Sequence, residues 1–532
     1  MDGIKRTQQK GNANVTMADL KKKLDKGIAY LKRNGMRDTL YRSGRKVMLA
    51  RPVRYERWLK HHTADKKEQR RQREEQVWKQ TKVYAVLFPG DEERKEETWK
   101  SLQNQTYGNI AAYAQKGWTQ RKQESADYIL LIQNGTILRP EAVYEMVKEA
   151  KKQENLLLYT DHDIRDSKGH LKKPFCKPDY DPIWQSQMNY MGTMLFASAS
   201  YAQKIKDLMP EQVWKELPKL AEQVVHLPKI LYHITETLQK DTECTKGWYH
   251  KKELKSFPLL SVIIPNKDHI EELQQCIESI QENGGYENLE ILIAENNSTE
   301  KETFQYYDEL QKKDSRIRVV TWDGKFNYSA INNAAVRQAK GEYLLFLNND
   351  TKIKKQGSIE ELMRCVVSEK AGAAGCLLLY GDHTIQHAGV VLGYGGVAGH
   401  AFEGMSQEVY KKQKYSRCIR QMSAVTAACM LAERRAFEEV GGFTEELGVA
   451  YNDIDFCMKL RKAGRMVLYD PFAELYHYES LTRGFEMTAE KAARVKREAE
   501  YFCQIWKEEI SRGDRFYNPN LTLEKADFSL IR

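Results

Sequence analysis

Four short polar clusters and one histidine hold the side chains of this chain that could do chemistry. The clusters are Pro265-Asn266-Lys267-Asp268, Glu295-Asn296-Asn297-Ser298, Asn348-Asn349-Asp350 and Asn452-Asp453-Ile454-Asp455; His477 stands in the segment AELYHYES. A carboxylate in a polar turn suits an oxygen-preferring cation such as Mg²⁺ or Mn²⁺. Mg²⁺ is commonly held by one or two protein carboxylates, with substrate phosphates completing the shell, so Asp350 alone does not disqualify the turn. On residue types an ordinary N-cap turn explains that cluster equally well. Asp453 and Asp455 precede the helical pattern CMKLRKAG, which stops at Gly464. Two positions apart on a helix, they point about 200° from one another, so one can face a cleft while the other caps or pairs. His477 follows Asp453 by 24 positions. A neutral imidazole is a competent ligand for a divalent metal, and equally a common structural residue.

The elements that must position these groups read as alternating strands and helices. VYAVLFP (83–89) and LLSVIIP (259–265) are short apolar runs ending at proline, each followed by a helical pattern. ADYILLIQNGT (126–136) lines up with GEYLLFLNNDT (341–351), buried strand meeting polar turn at the same step. The chain therefore contains a diverged internal repeat, and its fold class is α/β with mostly parallel sheets. In open sheets of this kind ligands bind beyond the carboxyl ends of the strands, where three of the four clusters fall. Pro265 to Asp350 spans 85 positions but Pro89 to Gly135 only 46, so the first copy lacks 39 residues and has glycine where the second has Asp350.

The chain has 532 residues, 41% of them hydrophobic, enough for two or three packed domains and incompatible with wholesale disorder. Its net charge of +10 is unevenly spread: residues 1–80 carry +14 and the remainder −4. A nucleic-acid binder with a basic face throughout would not divide this way. From Met17 to about Trp78 the pattern is helical, and two readings are open for this basic arm: a solvated helix packed on the next domain, or a surface for anionic lipid headgroups. No apolar run reaches the length of a membrane span, the first thirty residues have no signal-peptide core, and nine cysteines without a CxxC pair match reduced, buried thiols. A cytoplasmic protein, peripheral at most to the membrane, is expected. No GxGxxG or P-loop supports a dehydrogenase or kinase.

Residues 261–484 resemble the family 2 glycosyltransferases, inverting enzymes of the GT-A fold that use nucleotide-diphospho-sugars. The resemblance rests on SVIIPNKD, AENNST, FNYSAINNAA, KGEYLLFLNNDT, VTAACMLAERRAFEEVGGFTEEL, YNDIDFCMKLRKAG and AELYHYESLTRG, in that order. The most similar group builds bacterial cell-surface polysaccharide and is often described as rhamnosyltransferases; FYNPNLTLEKADFSL resembles their tails. The resemblance implies a UDP- or dTDP-sugar donor, a glycan or lipid-linked acceptor, and Mn²⁺ or Mg²⁺ on the diphosphate. Pro265, Asn266, Lys267, Glu295 and Asn296 would serve the nucleotide, with Asn327, Asn332 and Asn348 beside them. Asp350 matches the last carboxylate of the family's Asp-x-Asp motif, whose first position is here the amide of Asn348. Asp453 matches the catalytic base and His477 the histidine that completes the metal site, leaving Asp455 a structural role.

The expected organisation is a basic helical arm (1–80), a degenerate GT-A-like domain (81–250), a catalytic GT-A-like domain (255–485) and a C-terminal helix and tail (486–532), the helix capped by Thr488. The first copy is expected to be catalytically silent, a scaffold, acceptor guide or dimerisation element, with Asp161 and Asp163 in surface or capping roles. His387 and His400, in QHAGVVLGYGGVAGH, fit an acceptor-side lid or a mobile loop with incidental histidines. Two competing functions remain open: a silent partner in a polysaccharide-assembly complex, for which Asn348 argues, and a sugar nucleotidyltransferase, which would not need a base at Asp453.

Overall fold

A computed structural model of the chain describes residues 53–75, 80–119, 126–241, 253–478 and 488–532; most of the basic arm lies outside these residues. Tyr55–Arg532 form one compact unit. Within it, apolar runs rich in Val, Ile and Leu, such as VYAVLF and LSVIIPN, become strands buried at almost every residue, as strands covered on both faces must be.

The first sheet is built from β1 (Val83–Phe88), β2 (Ile110–Ala114), β3 (Tyr128–Gln133), β4 (Ile137–Leu138), β5 (Leu156–Arg165), β6 (Leu171–Phe175), β7 (Met194–Ser198) and β8 (Gln223–Ile234). Its order is β2-β1-β3-β7-β5-β8-β4, with β6 on β5. The second contains β9 (Leu260–Asn266), β10 (Leu289–Glu295), β11 (Ile317–Thr321), β12 (Tyr343–Leu347), β13 (Thr351–Ile353), β14 (Ala373–Leu379) and β15 (Ile385–His387). After a separate hairpin of β16 (Val390–Leu392) and β17 (Ala398–His400) come β18 (Arg420–Gln421), β19 (Cys429–Glu433) and β20 (Val467–His477). The order is β11-β10-β9-β12-β19-β14-β20-β13. Pairing is parallel through β11-β10-β9-β12 and again at β14–β20, and antiparallel where β19 meets β12 and β14.

Strand for strand, the first order repeats the second, with β11 missing. The internal repeat is therefore structural. Among the described residues, the shorter copy lacks the outer strand β11 with the helix Lys301–Lys313 before it, and has no counterpart of the β16–β17 hairpin or β18. The five-residue helix Gln115–Thr119 lies between β2 and β3, where the second copy has Tyr328–Gln338 between β11 and β12. Removing a unit at the sheet edge breaks no interior ladder, which is why the remaining strands keep their pairing.

The two halves join where the helix Pro182–Gln187 of the first meets the segment at β18 of the second. Gln187 exchanges two hydrogen bonds with the Ile419 backbone (2.8 and 3.0 Å), and the buried Asp181 carboxylate accepts from the Gln421 N–H at 2.7 Å. The C-terminal helix Ala489–Ile505 begins at Thr488, whose hydroxyl accepts from the Lys491 N–H as expected. The tail beyond it crosses both halves: Asp514 accepts from the Leu392 N–H beside β16, Phe528 stacks on Phe402, and Asn518 donates to Asp161 of the first sheet. The described helices of the arm, Tyr55–His61 and Lys66–Glu74, also pack on the first sheet's domain, through Tyr55 on Asp163 and Gln72 on Thr106. Seven of the eight described free cysteines are buried. No described helix is long and apolar enough to cross a membrane.

Candidate active site

The register of β13 against β20 brings the metal-ligating candidates together. Thr351 pairs directly with His477, so Asp350, one residue before β13, reaches the histidine although 127 positions separate them in the chain. The turn between β12 and β13 is held by the Asn348 N–H donating to Ala428 O at 3.0 Å, and by the Tyr478 N–H donating to Asp350 O at 2.9 Å. Asp350 Oδ1 and His477 Nε2 lie 3.2 Å apart, both side chains nearly buried. His477 Nδ1 is 2.7 Å from Gln386 Oε1, an acceptor, and Asn348 Nδ2, a donor, is 3.2 Å from Nε2. The Gln386 acceptor places a proton on Nδ1; at Nε2 the Asn348 amide suits a lone pair, while the Asp350 carboxylate suits either a proton or a cation between the two atoms. An imidazole nitrogen and a carboxylate oxygen thus face one another.

That pair fits an octahedral divalent cation. Ligands at about 2.1 Å in adjacent octahedral positions are about 3.0 Å apart, close to the observed spacing. Among the described residues no three His, Cys, Asp or Glu side chains group as a metal cluster. Asp350 and His477 would be the two protein ligands, leaving room for substrate phosphate oxygens and water, the usual arrangement for Mg²⁺.

Asp453 opens the helix Asn452–Lys462, entered through Tyr451 at φ +63°. Its Oδ2 accepts from the Ala427 N–H at 3.1 Å and its Oδ1 from the Ile454 N–H at 2.9 Å. Ala427 is next to Ala428, which accepts from Asn348, so two hydrogen bonds connect the Asp453 carboxylate with the Asp350 turn. Asp455 turns inward and is buried, accepting from Thr444 Oγ1 (2.6 Å) and Trp506 Nε1 (2.9 Å), a structural role as expected.

On the nucleotide side, Asn266 and Glu295 end β9 and β10, and Asn349 Nδ2 donates to Asn266 Oδ1 at 2.7 Å, joining this edge to the Asp350 turn. Buried Glu295 accepts from Ser298 and Tyr307, and Asn296 Nδ2 donates to the carbonyls of Trp322 and Gly324. These groups brace loops; Lys267 is exposed and Pro265 half-buried at the same edge. Asn327 and Asn332 stand apart from this group. Asn327 caps the helix Tyr328–Gln338 and donates to Glu445 O, while Asn332 is fully buried and donates to Tyr328 O at 2.8 Å. Their hydrogen bonds serve the helix and the loop leading to Asp453.

The mobile-loop reading of His387 and His400 is corrected. His387 ends β15, fully buried, and His400 ends β17, with their rings 4.7 Å apart and edge to face. Burial holds the His387 imidazole well below its usual pKa. Strand pairing accounts for the order: β15 lies on β14, and β16 on β17. Gln386, between them in function, was not singled out by the sequence. Only its hydrogen bond to His477, 91 positions away, marks it.

The first copy has lost this chemistry at two positions. Gly135 replaces Asp350, and at φ +91° a Cβ there would lie 2.5 Å from Asp91 Cβ, so no larger residue fits. In the register Ile137–His233, Ile234 falls where His477 stands in the second copy. Asp161 and Asp163 are not at the surface, as had been expected: both are completely buried. Asp161 accepts from the Lys177 N–H, His226 Nε2 and Asn518 Nδ2, each at 2.8 Å; Asp163 accepts from Tyr55 and pairs with His233. A buried carboxylate needs such partners, and the tail and the arm supply some of them.

Residues 261–441 match the family model described as glycosyl transferase family 2, so this stretch carries a domain of that family, built on the mixed sheet from β9 to β20. Among curated proteins, the chain is 33% identical over 76% of its length to an uncharacterized protein, y4gI, of Sinorhizobium fredii, and covers 49% of it. It is 30% identical, over 76% of its length, to the O-antigen biosynthesis protein RfbC of Myxococcus xanthus, of which it covers 34%. A shorter match, 31% identical over 16% of this chain and 28% of the relative, is to an N-acetylglucosaminyl-diphospho-decaprenol L-rhamnosyltransferase of Mycobacterium tuberculosis. The chain spans half or less of the length of each of these relatives.

Proposed function

We propose that residues 255–485 transfer a sugar from a nucleoside-diphosphate donor to a hydroxyl of a glycan or lipid-linked acceptor, with inversion, in bacterial cell-surface polysaccharide synthesis. The observation carrying this reading is the facing pair Asp350 Oδ1 and His477 Nε2 at 3.2 Å, at the strand ends beside Asp453. Mn²⁺ or Mg²⁺ would be held by these two residues and would offset negative charge on the departing diphosphate. Asp453 would take the acceptor hydroxyl proton on Oδ2, while the braced ends of β9 and β10, with Pro265, Lys267 and Asn348, would orient the nucleotide. A single displacement needs no nucleophilic side chain, and none is required here. A UDP- or dTDP-linked hexose or deoxyhexose is the expected donor; the similarity to a rhamnosyltransferase favours rhamnose.

Residues 81–250 would then scaffold the catalytic half. The corner that matches Asp350 and His477 holds Gly135 and Ile234, and the buried Asp161 anchors the tail that packs on β16 and Phe402. The basic arm (1–80) would place the enzyme, otherwise cytoplasmic, against the inner membrane face where lipid-linked acceptors lie; no role with nucleic acid is proposed. Donor turnover measured across a panel of nucleotide sugars, with and without Mn²⁺, tests the proposal. Turnover of one donor that requires Mn²⁺ supports it. Pyrophosphate release from a sugar phosphate and a nucleoside triphosphate would instead point to a nucleotidyltransferase, and no binding of any nucleotide to a silent partner.

A further inference from the structure

Gln386 sits on β15, almost wholly buried, with its side-chain oxygen 2.7 Å from His477 Nδ1. Its backbone carbonyl accepts from His400 Nδ1 at 2.9 Å, and β15 is itself clamped onto β14. The backbone that carries the amide is thus held in place, and the side chain itself is buried. An imidazole beside an acceptor at Nδ1 keeps its proton there, and its Nε2 lone pair is then committed to the opposite direction. In that direction stand Asp350 Oδ1 at 3.2 Å and Asn348 Nδ2 at 3.2 Å. With the other tautomer Nε2 would carry a hydrogen and could ligate nothing.

We propose that Gln386 is the positioning residue of this centre: it selects the His477 tautomer that can bind a divalent cation and fixes the ring's aim at Asp350. The inference rests on the reading of Asp350 and His477 as metal ligands. Gln386 touches neither metal nor substrate and acts only through the histidine. Asn348, an amide where the family motif has a carboxylate, complements this arrangement, because its N–H₂ can donate only to an unprotonated Nε2. The two amides, one on each ring nitrogen, favour the same tautomer, and a cation between Nε2 and Asp350 Oδ1 would take the place of the proton that the carboxylate otherwise attracts.

The test uses the full chain and Mn²⁺ itself as the probe, its binding followed by electron paramagnetic resonance in the absence and presence of UDP. Gln386→Leu removes the acceptor and should weaken Mn²⁺ binding 10- to 100-fold. Gln386→Glu keeps an acceptor of similar reach and should bind Mn²⁺ within about threefold of the parent, a conservative rescue that loss of packing would not produce. Nitrogen-15 spectra of histidine-labelled, metal-free protein should show a proton on His477 Nδ1 in the parent, whatever Nε2 carries beside Asp350, and a reduced Nδ1-protonated population in Gln386→Leu. Unchanged Mn²⁺ affinity in Gln386→Leu, or a tenfold loss in Gln386→Glu, would overturn the proposal. If Gln386→Leu does not fold, the Gln386→Glu affinity and the parent tautomer still decide it. His477→Ala separates the layers: if it too binds Mn²⁺ normally, the metal reading is at fault; if it alone loses binding, the role of Gln386 is.

Discussion

Replacing Asp453 by asparagine removes a proton acceptor while keeping nearly every atom in place. The carboxylate accepts two backbone hydrogen bonds, from Ala427 at 3.1 Å and Ile454 at 2.9 Å. The amide oxygen of asparagine can retain one of them, so the folding cost is that of about one neutral hydrogen bond, on the order of 1 kcal/mol. The chemical cost is larger. A positioned general base contributes about 10² to 10⁴ in rate, or roughly 3 to 5 kcal/mol of barrier. Asp453→Asn should therefore lose two to four decades of sugar transfer, read as nucleoside diphosphate released in the presence of acceptor. Its affinity for UDP or dTDP should be unchanged, because a base of this kind acts on the acceptor hydroxyl and not on the nucleotide. Transfer within threefold of the parent would refute the assignment of Asp453 as base; equal loss of nucleotide affinity would place it on the donor instead.

Other outcomes follow from the same geometry. Asp350→Ala and His477→Ala should each abolish the Mn²⁺-dependent part of the thermal stabilisation by UDP, measured by differential scanning fluorimetry, without lowering the unfolding midpoint of the nucleotide-free protein by more than a few degrees. Asp161→Ala should leave turnover per folded molecule intact but strip His226 and Asn518 of a buried partner, costing about 3 kcal/mol in urea unfolding. Burial opposes charge on His226, but the carboxylates of Asp161 and Asp179 outweigh it and raise its pKa above the unfolded value near 6.5. That stabilisation is complete below about pH 6.5 and is lost as pH climbs through the raised value. The excess stability of the parent over His226→Gln should accordingly shrink from pH 6 to pH 9, and a difference that grows with pH would contradict the ion pair.

The repeat, the strand ends and the residues of the metal corner were legible in the one-dimensional pattern, because strand burial and turn chemistry are local. LSVIIPN and YLLFL announce buried strands by composition, and a polar turn after such a strand marks a place where a ligand can sit. The inward turn of Asp455 and its separation from Asp453 also follow from helical spacing. The fates of Asp161 and Asp163 did not, since an acidic pair between apolar residues looks like surface until the partners are known. Those partners are Lys177, His226 and Asn518 for Asp161, the last 357 positions away, and Tyr55 and His233 for Asp163.

What the sequence alone determined is which side chains are available at which strand ends, and that one of two copies has glycine where the other has Asp350. Only the tertiary structure decided who meets whom. The register of β13 on β20 puts His477 against Asp350, β15 delivers Gln386 behind it, and the tail closes on the first sheet's buried acids. Each of these contacts depends on long-range strand register and on burial that forces polar groups to find partners, and neither is written in the spacing of neighbouring residues.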